Sequence, residues 1–184
     1  MAAARLFNTY FGTGLSSIVF QAIRESKSLA YSAFAGYQTA SEKGKPDYLY
    51  SYIRTQANKL SDAVDAMMEL MTNMPEAERQ FEAAKEAAIK KLAAERINGT
   101  SIFWSYERLK KQGMDHDNRK EVYEAMKNMK MEDLIEFFNN NIKGQEYNIM
   151  VLGNKKDLDF DALSKLGKVQ ELDVDELFNY EKTQ

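Results

Sequence analysis

Arg24 and Tyr31, seven positions apart in FQAIRESKSLAYSAFAGY, are the residues whose chemistry stands out. A guanidinium presents a fixed fork of N–H donors and a phenol presents one hydroxyl, so the two together can grip a single carbonyl oxygen. That oxygen turns anionic when a peptide bond is attacked, and fixed donors aimed at it lower the barrier. Spacing alone also supports a plainer reading, in which an Arg in the last turn of a helix suits the helix dipole and a Tyr entering a strand is ordinary packing. The single histidine, His116, lies between Asp115 and Asp117 in QGMDHDNRKE. It reads as an exposed turn residue between a helix closing at Gly113 and one restarting with Asp117 or Asn118 as cap. Zinc needs three or four supported ligands, so a metal site on this chain is not expected.

The run around the pair carries more information than the pair itself. YFGTGLSSIVFQAIRESKSLAYS, a glycine-rich turn, Leu-Ser-Ser, an amphipathic helix with Arg and then Leu-Ala-Tyr, resembles the second, non-zinc half of the insulinase-type (pitrilysin-like, M16) metallopeptidases. The resemblance is sharpest over residues 7 to 37. It implies an α+β fold, a mostly antiparallel sheet with helices on one face, spanning residues 1–184 as one half-domain of a longer chain and lacking its first strand. It also implies roles: Arg24 and Tyr31 bind the substrate carbonyl and stabilise the oxyanion, with no catalytic or metal-binding residue on this chain. Zinc comes from a partner half-domain, whose inverted His-x-x-Glu-His helix is not in this sequence. The implied partners are that zinc half and a peptide substrate. The alternative is a proteolytically inactive scaffold of the same fold, like the core subunits of respiratory complexes, which often lose the Arg/Tyr pair.

Composition bounds the rest. The chain has 184 residues, long enough for a real core, and a formal charge of -3 with Lys and Arg scattered among acids, so no nucleic-acid surface is expected. The absence of cysteine removes disulfides and thiol catalysis without fixing the compartment; bacterial periplasm and cytoplasm are both compatible. No apolar stretch approaches the roughly 18 residues that a membrane span needs.

The elements that must position the pair follow from periodicity. A first helix carries Leu6, Tyr10 and Phe11 on one side; Gly12 and Gly14 interrupt it, and Ser16 or Ser17 caps a second helix running to about Ser26. FGTGLSS lacks the Lys-Ser/Thr ending of a phosphate loop and reads instead as a turn that lets two helices pack closely. Residues 29–39 and 48–56 read as a hairpin around SEKGKPD, with Leu29, Tyr31, Ala33, Ala35 and Tyr37 on one face of its first strand. That face either looks into a substrate chamber, as the resemblance implies, or is covered by a helix. Helices are expected over 58–74, from Pro75 to about Asn98-Gly99, from Ile102 to Gly113, and over 118–128 and 131–142. Met67, Met68 and Met71, then Met126, Met129 and Met131, read as core filler. The strand YNIMVLGN, a short helix at FDALSKL, the strand KVQELDV and a packing or fraying tail DVDELFNYEKTQ complete the chain. A sheet missing a strand leaves an unpaired edge, and edges near 29–39, 48–56 and 146–153 are candidates for self-association.

Overall fold

A helical body holds one two-stranded ribbon in the computed structural model, which describes residues 1–178. Helix α1 (Ala2–Phe7) widens without a break into a π-helical segment, Asn8–Gly12, and the helix of the Arg24 region is also wide over Phe20–Ser26. Strands β1 (Ser32–Gln38) and β2 (Tyr48–Arg54) form an antiparallel hairpin with Ser32 opposite Arg54 and Gln38 opposite Tyr48. Then come α2 (Leu60–Thr72), α3 (Glu78–Ala94), α4 (Thr100–Lys111), α5 (Arg119–Asn128), α6 (Met131–Asn141), α7 (Phe160–Leu166) and α8 (Val174–Phe178). The class is α+β, with helices on one face of the antiparallel ribbon.

The periodic residues build the core. Phe7 stacks on Phe11 at 4.8 Å, and Phe137 meets Phe7 and Tyr37 at 5.6 and 5.0 Å. Phe81, Ala84, Ala88 and Leu92 of α3 lie buried on one stripe, the spacing that turns one face of a helix inward. Met67, Met71, Met126 and Met131 are buried with them, and Met68 and Met129 pack against the same cluster. Tyr10 ties helix to helix: its hydroxyl donates to the Pro75 carbonyl at 2.7 Å and accepts from the Ala77 amide at 3.0 Å.

Several expectations need correction. YNIMVLGN and KVQELDV are not strands; Met150 is 89% and Leu152 101% exposed, and no ladder lies beside them. A strand exists only by pairing, and the outer side of β1 is already closed by the Asn8–Gly12 segment. The mostly antiparallel sheet is therefore two strands among the described residues. The long helix starts at Glu78 instead of Pro75 and stops at Ala94. The face carrying Ala33, Ala35 and Tyr37 is buried under helices, so it is not an open chamber wall; the open face carries Tyr48, Tyr50 and Tyr52. Of the tail, Val174–Phe178 is helical, and residues 179–184 lie outside the described residues.

Candidate functional site

The helix that carries Arg24 begins where Ser17, fully buried, donates to the Gly14 carbonyl at 2.9 Å and accepts weakly from the Phe20 amide at 3.4 Å. Ser17, not the exposed Ser16, is the cap. Its wide turns put Ile23 in the core and stack the Arg24 guanidinium on Phe20, 4.8 Å from ring centre. Such widened turns recur at functional sites, where they re-aim a side chain.

Between Arg24 and Tyr31 the chain reverses at Ser28, which has a φ of 50° although it is not glycine. A residue held there is strained, and the surroundings hold it. The Leu29 amide donates back to the Ile23 carbonyl at 2.9 Å, the Lys59 ammonium donates to the Ser28 carbonyl at 3.0 Å, and the Thr55 hydroxyl donates to the Leu29 carbonyl at 2.5 Å. Residues just beyond β2 therefore fix the turn that sets the geometry of the pair. Tyr31 then leaves the regular alternation. Its amide bonds to the Arg54 carbonyl at 2.8 Å, out of the register of the strands, and its side chain is 75% exposed while Ala33 beside it is buried.

The two residues come together. The Arg24 guanidinium carbon lies 5.9 Å from the Tyr31 ring centre, and a second guanidinium, that of Arg54, lies 5.7 Å from the same ring. Among the described residues neither the Tyr31 hydroxyl nor the Arg24 guanidinium makes a hydrogen bond; Arg24 has only a loose ion pair with Glu25 at 3.8 Å. A cleft of about 540 Å³ opens beside Tyr31 and Arg54, lined among others by Ser28, Gln56 and Lys59 and by no carboxylate; Arg24 is not among its lining residues. Uncommitted donors around an acid-free cleft can receive an acceptor such as a carbonyl or a carboxylate. Sequence reasoning missed Arg54. The signal was there in the hairpin, because a register that closes on Gln38 and Tyr48 places the end of β2 opposite the start of β1.

His116 lies far along the chain on an exposed turn, its Nδ1 2.8 Å from Asp115 and its Nε2 3.1 Å from Glu121. Those carboxylates raise its pKa, first through the hydrogen bond that the imidazole donates to Asp115. Asp117 accepts from the Arg119 amide at 3.0 Å and so caps α5 from one residue outside the Asn118 position. No group of three or more His, Cys, Asp or Glu among the described residues could hold a metal, and no described helix is long and apolar enough to cross a membrane.

Residues 1–88 match the family described as the peptidase M16 inactive domain. That stretch, a little under half of the chain, is similar to the family. No curated protein matches it in sequence. Its fold is similar to the crystal structure of a peptidase M16 inactive domain from Pseudomonas fluorescens, with a TM-score of 0.58 at 15% identity over 77% of this chain and 34% of that one. A protease from Helicobacter pylori is similar with a TM-score of 0.57 at 14% identity over 76% of this chain and 33% of that one. The chain thus spans about a third of the length of each of these structures. The matched stretch holds both guanidiniums, the phenol and the cleft, whereas His116 falls beyond it.

Proposed function

We propose that this chain is the substrate-holding half of a zinc metallopeptidase. Arg24 and Tyr31 bind the carbonyl of a peptide held at the zinc of a partner half-domain, on the same parent chain or a separate subunit. The observation that supports this reading is the junction itself: a strained, side-chain-pinned turn brings an uncommitted guanidinium within 5.9 Å of an exposed phenol ring. When zinc-bound hydroxide attacks, the carbonyl oxygen gains negative charge, and donors already aimed at it bind that state better than the ground state. Metal, hydroxide and general base come from the partner; this chain supplies position and charge.

The test is turnover of the complete enzyme with Arg24→Ala or Tyr31→Phe. Loss of one such donor lowers kcat by roughly 10²–10³-fold with little change in KM. Tyr31 is largely exposed and Arg24 half-buried with no hydrogen bond among the described residues, so the unfolding midpoint should stay within about 2 °C. Turnover unchanged in both variants would sink the carbonyl-holding role and favour the scaffold reading.

A further inference from the structure

Elsewhere in the molecule cations meet acids: Arg5 lies 3.0 Å from Glu95, Lys27 2.9 Å from Glu69 and Lys45 3.0 Å from Glu42. The cleft beside Tyr31 breaks that pattern. Arg54 and Lys59 both line it, no carboxylate does, and neither cation makes an ion pair among the described residues. In a chain of formal charge -3 this is a local surplus of positive charge. Every residue of the cleft wall falls between positions 28 and 59, so the turn at Ser28, the end of β2 and the short helix Ala57–Lys59 build it from local structure.

Both cations are held in place and still have donors to offer. The Arg54 guanidinium lies over the Tyr31 ring, 5.7 Å from its centre. A ring face steadies a cation and leaves the N–H edge of the fork free. No hydrogen bond uses that edge among the described residues. Lys59 donates one of its three ammonium protons to the Ser28 carbonyl at 3.0 Å, which fixes the ammonium against the strained turn and leaves two protons unused. The Gln56 side chain, on the same wall, is also without a hydrogen bond among the described residues. A neutral carbonyl entering this cleft would answer one donor and none of the charge. A carboxylate matches the guanidinium fork with two oxygens and neutralises it.

We propose that the cleft is a carboxylate subsite, in which Arg54 and Lys59 take an acidic group of the bound peptide, either a Glu or Asp side chain or the C-terminal carboxylate. Arg54 grips the group through two parallel N–H···O bonds, and Lys59 faces it as a point charge. Arg24 and Arg54 share the Tyr31 ring at 5.9 and 5.7 Å, so the two guanidiniums lie at most about 12 Å apart, three to four extended residues at about 3.4 Å each. The acid therefore falls within that distance of the carbonyl held by Arg24 and Tyr31. The inference rests on the peptide-holding reading and adds to it the charge of the peptide and the residues that select it.

The test is a titration of the full chain, nitrogen-15 labelled, with acetylated and amidated peptides of Ala and Ser that differ at one central position, Glu or Gln, and with the Gln peptide carrying a free C-terminus. Amide shifts report both affinity and place. At least one of the two acidic peptides should move the amides of residues 28–31 and 54–59 saturably and bind roughly fivefold or more tighter than the neutral one. Which of them does so identifies the source of the carboxylate. Arg54→Gln should remove the preference, and Arg54→Lys should keep part of it, because the charge stays while the fork is lost. The Arg54 side chain is exposed and holds no other residue by a hydrogen bond, so neither variant should disturb the fold. Equal binding of acidic and neutral peptides, no saturable binding of either acidic peptide, a preference that survives Arg54→Gln, or equal shifts from inorganic phosphate alone would overturn the proposal. Arg24→Ala should leave the preference within about twofold, since Arg24 does not line the cleft and its charge is screened at that range. A preference for acid that persists while Arg24→Ala leaves turnover of the complete enzyme intact would retain the subsite and reject the carbonyl-holding role. Lost turnover in Arg24→Ala with no preference for acid would reject the subsite alone.

Discussion

The two strands of the hairpin carry the same architecture and opposite surroundings. The covered face of β1 is built from small residues, Ala33 and Ala35, against which the Asn8–Gly12 segment packs so closely that a Cβ on Gly12 would sit 2.0 Å from the Ala35 carbonyl oxygen. On β2 the large residues Tyr48, Tyr50 and Tyr52 turn to solvent. β1 is held by backbone meeting backbone, whereas β2 is held by its partner and by Leu49 and Ile53, which pack against the core. Substitutions on the two faces should therefore differ in size: those against the covered face of β1 cost much stability, and those beside the exposed tyrosines of β2 cost little.

The largest expected effect is Gly12→Ala. The obstructing atom belongs to the backbone of a paired strand and cannot rotate away, so the helix or the ribbon must shift, at a cost of about 3 kcal/mol. In a chain of this size that lowers the melting temperature by roughly 6–12 °C, measurable by calorimetry. A loss of less than about 2 °C would mean that the close approach is not a constraint. Next is Asn8→Ala, which leaves the Tyr37 amide and carbonyl without their partner at a part-buried edge. Two unsatisfied backbone groups cost about 2 kcal/mol together, and Asn8→Asp should recover part of it because a carboxylate still accepts from the amide.

What the sequence made legible divides along the same line. The amphipathic helices, the hairpin and the Arg24–Tyr31 junction were readable because each rests on local periodicity or turn chemistry, and the short helix expected at FDALSKL is Phe160–Leu166, capped by Asp159, which accepts from the Ala162 amide. Two features were not. Pairing partners lie outside any local window, so 147–154 and 168–174 have strand composition without a strand to join. Whether the face of β1 is covered by a helix or open to a chamber stayed undecided, because alternation says which residues share a side and not which side is covered. Tyr31 shows this most clearly: alternation groups it with the buried Ala33, yet an out-of-register bond to Arg54 turns it to solvent. Within the candidate site, local spacing yields the pair, whereas Arg54 requires the register.

A smaller effect separates the strands by pH. The Tyr37 hydroxyl donates to Asp47 at 2.9 Å, and burial together with that carboxylate pushes its pKa up to about 12. A phenol ionises near 10 when unfolded, so the folded state holds its proton more tightly. Its contribution is complete below pH 10 and is lost as pH rises from 10 towards 12, on the order of 1–2 kcal/mol. Tyr10 and Tyr147, raised by burial, add in the same direction. Urea midpoints at pH 8 and pH 11 should show the loss, and Tyr37→Phe should be less stable at pH 8 but lose less between the two. The same slope in both proteins would assign the pH dependence elsewhere.

The smallest effect is the most direct comparison, because it repeats the first substitution on the open side. A Cβ on Gly36 would also clash, at 2.8 Å, but with the Tyr50 ring and hydroxyl instead of backbone. That ring is 45% exposed and ends in solvent, so it can swing aside and lose only part of its packing. Against this, alanine restricts the unfolded chain more than glycine does, a gain of about 0.5–1 kcal/mol in a strand. The two terms nearly cancel, and Gly36→Ala should melt within about 2 °C of the parent while Gly12→Ala falls well below it. If Gly36→Ala instead unfolds as readily as Gly12→Ala, Tyr50 is held rigidly in place, and the open face is as structural as the covered one.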